Sequence, residues 1–120
     1  MIEGIQISAG GDITQVSIEP GYRALQAVVG GPVEAVSSRS GQSTLWAHEE
    51  AKIITPPLPA NPLATHLWWL LNPAFRGHDF LAGTVLVTGG ADSEGRTLSV
   101  GPEALAALAL IADRAERRPA

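Results

Sequence analysis

Residues 62–75 read PLATHLWWLLNPAF and contain two of the chain's three tryptophans, side by side. Asn61 is a good N-cap and Pro62 a good first helical residue, so a helix is predicted over about 62–71, ending before Asn72. Adjacent positions of a helix point about 100° apart. A single narrow apolar stripe therefore cannot bury both indole rings.

A helical wheel separates the two tryptophans. The core stripe on this wheel, between about 340° and 80°, is formed by Leu63, Leu67, Leu70 and Leu71. Trp68 lies at about 140°, at the edge of the stripe, and Trp69 lies at about 240°, on the face away from the leucines. The prediction is that Trp68 anchors the edge of the core and that the leucine stripe leaves Trp69 uncovered.

Two interpretations of Trp69 follow from the sequence. In the first, its own chain covers it through a proline-rich connector, Phe75 or Phe80. In the second, it belongs to an exposed apolar patch of the kind that marks binding or self-association sites, where Trp is enriched among hot spots. The candidate interaction surface consists of Trp68, Trp69, His66, Phe75 and Phe80.

The composition indicates one ordinary globular domain. The 120 residues are 45% hydrophobic and 17% charged, which is unlike a disordered chain. The net charge of −4 argues against nucleic-acid binding, which needs clustered Lys and Arg, and it is too mild for a DNA mimic. The absence of cysteine excludes disulfides, thiolate metal sites and cysteine nucleophiles. No secretory signal or membrane-spanning run is visible, which favours a cytosolic protein.

The first half of the chain predicts a β-β-α-β-β unit. Alternating apolar residues flank an AGGD turn in GIQISAGGDITQVSIE (4–19), which indicates a hairpin. Pro20 fits the first turn of a helix that Gly30 ends in the left-handed conformation. The segments PVEAVSS and STLWAHE are predicted to form a second hairpin around SRSGQ.

The second half begins with a connector. KIITPPLPANP (52–62) has four prolines in the seven residues from Pro56 to Pro62, which indicates an extended segment on the surface of the domain. After the predicted helix, GTVLVTGG is typical of a strand. ADSEGR is predicted as a tight turn and TLSV as a short partner strand, which makes a further hairpin.

A long C-terminal helix is predicted to open at Gly101-Pro102-Glu103. Its buried side would carry Leu105, Leu108 and Ile111, and Asp113 can pair with Arg117 one turn on. Strands interleaved with helices at irregular spacing favour α+β over a βαβ repeat. The predicted fold is one compact α+β domain over residues 1–118, with a small, mostly antiparallel sheet, two or three helices and a frayed tail at 119–120.

Candidate chemistry is sparse. No pair among the three histidines matches an HExxH-type metal motif. A small hydrolase or metal-dependent enzyme remains an alternative, and it would use His48, Glu49, His78 and Asp79. GGADSEGRT (89–97) is Gly-rich but leads into a predicted strand, whereas a phosphate loop opens a helix, so it is interpreted as a hairpin turn. A further alternative is a small-ligand-binding domain with this hairpin over a pocket.

ALQAVVGGPVEAV (24–36), followed by LVTG (86–89), resembles a small uncharacterised family found in bacteriophages, plasmids and actinobacterial genomes. Its members carry segments like LQxLVGGxIEAV, NEEGK…LPPNPxAT and GDVxVGxxLVTG. This chain is similar to them in AHEEAKIITPPLPANPLAT (47–65) and HDFLAGTVLVTGGADSEGRTL (78–98), and the resemblance covers about residues 12–112. This chain departs from the family pattern at His48 and Ala51, where the family usually has Asn and Gly. The resemblance implies a mobile-element accessory protein in a bacterial cytosol and brings no catalytic residues.

The expected function is that of a non-catalytic protein-interaction module, acting without a cofactor or a metal. Its expected partner is a host protein or a second copy of the chain, which includes a homodimer. Direct contact with nucleic acid or a membrane is not expected.

Overall fold

Five strands form one antiparallel sheet in the computed structural model, which describes residues 1–116. They are β1 (Ile2–Ile7), β2 (Ile13–Ile18), β3 (Val33–Ser37), β4 (Ser43–His48) and β5 (Val85–Gly89). The strand order is β2-β1-β5-β4-β3, so β5 lies between the two hairpins. Every residue of β5 (VLVTG) is buried, as expected for a β-branched strand that is covered on both faces.

Three helices cover the two faces of the sheet: α1 (Tyr22–Val29), α2 (Pro62–Leu71) and α3 (Pro102–Glu116), with a 3₁₀ turn at Pro73–Phe75. α1 packs on one face, where it forms an apolar cluster with side chains such as Leu86. α2 and α3 pack against each other on the opposite face, over Val85 and Val87. The alternation along β5 thus sends successive side chains into two separate cores. The predicted α+β architecture is confirmed.

The β-β-α-β-β unit and the helix over 62–71 are confirmed, but the start of α1 was predicted wrongly. α1 begins at Tyr22, and Gly21 is its N-cap with a φ of 147°. This backbone conformation separates Pro20 from the helix, so the proline precedes the first turn and does not form it.

The segment after β5 also differs from the prediction. Residues 97–100 form a single bridge, between Thr97 and Ala91, where a strand was expected. The pairing continues only as far as Leu98, whose N–H donates to the Gly90 carbonyl and whose carbonyl accepts from the Gly89 N–H, each at 2.9 Å. The segment then turns to β1, where the Val100 N–H donates to the Glu3 carbonyl at 2.8 Å. This crossing carries the chain from β5 to the start of α3.

α3 buries a different set of side chains from the predicted one. Leu108 is buried and Ile111 half-buried, as expected, but Leu105 is 46% exposed. Ala104 takes the fully buried position, because this side of α3 packs against α2. The predicted Asp113–Arg117 pair and the tail at 119–120 reach beyond the described residues.

The buried face of α2 is rotated away from the leucine stripe. Its buried residues are Ala64, Thr65, Leu67, Trp68 and Leu71. Leu70, predicted to be core, is exposed, and Trp68 is fully in the core and not at its edge. The cause is a polar contact: Thr65 Oγ1 accepts from the Leu81 N–H at 2.9 Å, which turns this side of the helix toward the segment before β5.

Asn61, the N-cap of α2, is completely buried and joins three parts of the fold. Its Oδ1 accepts from the Ala64 N–H at 3.0 Å. Its Nδ2 donates to the carbonyls of Ile7 at 3.0 Å and Gly83 at 2.9 Å. A buried amide that uses its donors and its acceptor in this way stabilises and positions the segments it joins. One side chain therefore fixes α2 to the end of β1 and to the approach to β5.

Two Gly-Gly pairs, Gly30-Gly31 and Gly89-Gly90, each contain a glycine that packs closely against another segment. Gly30 ends α1 with a φ of 92°, as predicted. A Cβ at Gly31 would collide with the His48 ring, and a Cβ at Gly90 would collide with the Gly41 carbonyl. Gly90 therefore allows a close backbone contact between the end of β5 and the β3–β4 turn. This contact accounts for the glycine without any phosphate-binding role.

Glu103, in the first turn of α3, connects this helix to the β3–β4 turn. Its two carboxylate oxygens accept from the Ser40 and Ser43 hydroxyls, each at 2.6 Å. Burial raises the pKa of Glu103, but hydrogen bonds from Ser40, Ser43 and Ser38 outweigh it, so the pKa lies below its ordinary value of 4.5. A carboxylate at this position also interacts favourably with the helix dipole.

Replacing Asn61 should destabilise the fold strongly. Asn61→Ala removes the cap and leaves buried carbonyls of Ile7 and Gly83 without a donor, so we expect a loss of roughly 2–5 kcal/mol in urea unfolding. Asn61→Asp keeps the capping acceptor but loses both donors, so it should be destabilising as well. Asn72→Ala, at the C-terminal end of α2, is the matched control and should cost less than about 1.5 kcal/mol. A mild Asn61→Asp would show that only the cap matters.

Acid should weaken the contact at Glu103. The folded-state pKa is depressed, so the stabilisation is complete above the unfolded-state value and is lost as pH falls through the folded value. We expect the free energy of unfolding to decrease between about pH 5 and pH 3, and Glu103→Gln to reduce this slope. The exposed Glu50→Gln is the matched control. Equal slopes for the two variants would contradict the assignment.

Candidate functional site

Trp68 and Trp69 have different environments. Trp68 is buried, and its ring stacks on Phe75 with centroids 4.8 Å apart. Trp68 therefore supports the candidate surface from below and does not reach it. Trp69 is half-buried at the edge of the same core.

The chain itself covers part of Trp69. Its indole N–H donates to the Asp79 carbonyl at 3.0 Å, and the edge of the His66 ring approaches it with centroids 5.6 Å apart. The loop after α2 thus folds back along the helix and lies against one side of the indole. Neither interpretation from the sequence describes Trp69 completely, because part of the ring is packed and part is exposed.

Exposed apolar side chains occur on α2 and in the segment that follows it. Phe75 is 42% exposed, Phe80 is 44% exposed and Leu70 is 37% exposed. His66 is exposed on the next turn of α2. We call this set the aromatic surface, and it comprises His66, Trp69, Leu70, Phe75 and Phe80.

A cleft of about 210 Å³ opens beside Phe80. The Lys52 ammonium lies 4.4 Å from the centroid of the Phe80 ring and 2.5 Å from Asp79 Oδ1. The hydrogen bond from Lys52 is the main reason that the pKa of Asp79 lies below its usual value, against the opposing effect of burial. Lys52 is therefore placed both as the partner of Asp79 and as a cation over the aromatic ring.

The cleft is lined by acidic and apolar residues. Glu34 and Glu49 contribute carboxylates in addition to Asp79, and Lys52 is the cation of its lining. Ala47, Ala51, Leu81 and Ala82 form apolar parts of its wall. Its volume is below the about 300–1,000 Å³ of pockets for drug-sized ligands. A single side chain fits such a volume, and a nucleotide does not.

The residues of the enzyme alternative are only partly brought together. His48, Glu49 and Asp79 line this cleft, and His78 is not among its lining residues. His48 Nδ1 accepts from the Glu50 N–H at 3.0 Å, and Asp79 is paired with Lys52. Within residues 1–116, no three His, Asp or Glu side chains are grouped as metal ligands. Nothing in this arrangement favours hydrolysis or metal chemistry.

The small-ligand alternative placed a pocket under the Gly-rich hairpin. That hairpin is closed by its own contacts, with Asp92 accepting from the Glu94 and Arg96 backbone N–H groups at 2.9 Å each. The cleft lies elsewhere, between the connector and the segment before β5.

The sequence did not indicate that Leu70 belongs to the aromatic surface or that Lys52 lines the cleft beside it. Lys52 is 27 residues from Asp79, so their pairing depends on the path of the proline-rich connector. One signal was available: Lys52 is the single lysine of the chain and lies in the connector next to the apolar pair Ile53-Ile54.

The two tryptophans should differ in their effect on stability. Trp68→Ala removes a fully buried ring, and we expect a loss of about 3–5 kcal/mol in urea unfolding. Trp69→Ala removes a half-buried ring and one hydrogen bond, so its loss should stay below about 2 kcal/mol. Equal losses would mean that Trp69 is a core residue, and it would then be removed from the aromatic surface.

Comparisons with known proteins identify the family of this chain and indicate no function for it. Among the residues that the structure describes, no helix is long and apolar enough to cross a bilayer. No curated protein and no solved structure matches the chain significantly. Residues 2–113 match the family DUF3846, a domain of unknown function. Because this match spans nearly the whole sequence, the chain belongs to the DUF3846 family.

Proposed function

We propose that this chain is a non-catalytic domain that binds another protein through its aromatic surface. The observation that carries the proposal is the exposure of Phe75 and Phe80, both above two-fifths, in the segment after α2 that also hydrogen-bonds to the half-buried Trp69. Contiguous exposed apolar groups on a soluble domain mark interaction sites, and aromatic residues are enriched in the cores of such interfaces.

The aromatic surface is held in place before any partner binds. Trp69 is fixed by its hydrogen bond to the Asp79 carbonyl. Phe80 is fixed from two sides, because its N–H donates to Asp79 Oδ1 at 2.8 Å and Lys52 lies over its ring. Side chains that are already ordered lose little conformational entropy on binding, which favours affinity.

The cleft beside Phe80 supports a partner with a basic side chain at the contact. Three carboxylates line it, from Glu34, Glu49 and Asp79, against the one ammonium of Lys52. An arginine would find carboxylates for its guanidinium and an aromatic ring next to them. The same charges disfavour an acidic partner.

The cellular role that we propose is that of an accessory protein of a phage or another mobile element in a bacterial cytosol. The support is the sequence resemblance to proteins of phages, plasmids and actinobacterial genomes. A non-catalytic binder fits such a role, because it can act by occupying a surface of a host protein. The host protein is the partner that we propose for the aromatic surface.

Replacing two aromatic residues should abolish partner binding without unfolding the domain. The double variant Phe75→Ala and Phe80→Ala, immobilised and exposed to host lysate, should lose a protein that the unchanged chain retains. Hot-spot residues contribute about 2 kcal/mol or more, so the affinity should fall at least about 30-fold. Leu110→Ala is the matched control, because Leu110 is 43% exposed on α3 and is not part of the aromatic surface.

Thermal unfolding of each variant separates loss of binding from loss of fold. The proposal requires that the Leu110 variant still captures the protein and that the double variant, while folded, does not. It is overturned if all variants capture the same proteins equally well.

A further inference from the structure

β2 forms one outer edge of the sheet, and its backbone is open on that side. Within residues 1–116, the ladder of β2 is made with β1 alone, from Ile2↔Ile18 to Ile7↔Ile13. This register runs through six consecutive pairs without a bulge. The outer N–H and C=O groups of β2 therefore present a regular row of hydrogen-bonding positions.

The sequence of β2, ITQVSI, has none of the features that protect edge strands. Edge strands of soluble proteins are usually blocked by charged residues, proline, bulges or a covering element. β2 has no charged residue, no proline and no glycine, and four of its six residues are β-branched. Ile13 at its beginning is 47% exposed. Such a strand is suited to pairing with another strand.

The opposite edge of the sheet, β3, is protected. The C-terminal end of α2 lies against the end of β3, where Asn72 Nδ2 donates to the Ser37 carbonyl at 3.1 Å. Next to it, the Arg39 N–H donates to the Leu71 carbonyl at 2.9 Å. β3 also carries the charged Glu34. The sheet therefore has one open edge and one blocked edge.

We propose that the open edge of β2 pairs with β2 of a second copy of this chain, antiparallel and around a two-fold axis. The two five-stranded sheets then become one continuous sheet. Because each copy has a single open edge, assembly stops at two copies and does not continue into a filament. This contact uses no residue of the aromatic surface and is independent of its proposed function.

The strand is complementary to itself. Directly opposite residues of an antiparallel pair lie on the same face, so a register centred on Val16 places Thr14 opposite Ile18 of the second copy. Gln15 then lies opposite Ser17, and no charged residues meet within the ladder.

The acidic residues that flank β2 also avoid each other in this arrangement. Asp12 and Glu19 are an odd number of positions apart, so they belong to opposite faces. In every two-fold register centred within β2, neither of them lies directly opposite an acidic residue of the second copy. Like-charge repulsion, which commonly prevents such pairing, is absent from the ladder.

The test is the oligomeric state of the purified full chain, measured by sedimentation and light scattering from about 1 to 200 μM. Thr14→Lys places a charge at an exposed position of β2, as protected edges do naturally. Ala35→Lys makes the same change at an exposed position of β3 and is the matched control. We expect a dimer whose dissociation constant rises at least about tenfold with Thr14→Lys and stays unchanged with Ala35→Lys.

Hydrogen exchange gives a second measurement that needs no variant. In the unchanged chain, alternate amides of residues 13–18 should exchange more slowly as the protein concentration rises. A chain that stays monomeric over the whole range overturns the proposal. It is also overturned if Ala35→Lys dissociates the dimer and Thr14→Lys does not. The Phe75 and Phe80 double variant should still dimerise, which separates this contact from the aromatic surface.

Discussion

The buried carboxamide of Asn61 is the interaction on which the arrangement of the other elements depends. It joins the first turn of α2, the end of β1 and the turn before β5, three segments that are far apart in sequence. Once these are joined, Thr65 meets Leu81 and the face of α2 is fixed. The position of Trp69 and the loop that carries Phe80 follow from that orientation.

Local signals in the sequence predicted the elements well. The Asn61-Pro62 pair gave the start of α2, and Gly30 gave the end of α1, because caps depend on neighbouring residues only. The buried face of α2 was predicted wrongly, since leucine counting ignores a hydrogen bond to Leu81, which is 16 residues from Thr65. The insertion of β5 between the hairpins is likewise non-local, and periodicity carries no information about it.

Local signals in the sequence also predicted part of the candidate site, but they did not predict the contacts that are distant in sequence. Helical spacing correctly separated Trp68 from Trp69, because both lie on one helix. The partners of Trp69 and Phe80 could not be derived, because the Asp79 carbonyl and Lys52 reach them through a loop and a connector. The sequence shows where the aromatic residues occur along the chain, and only the tertiary structure shows which of them are exposed.

The central position of β5 has a consequence for folding. Ile5 pairs with Val87, and Leu45 pairs with the same Val87 from the other side, so the sheet cannot be completed until the chain has been made as far as β5. Before that, each hairpin has an inner edge that is apolar and unpaired, which is the condition under which strands pair between molecules. During synthesis on the ribosome, the completion of the sheet waits for a strand of five residues.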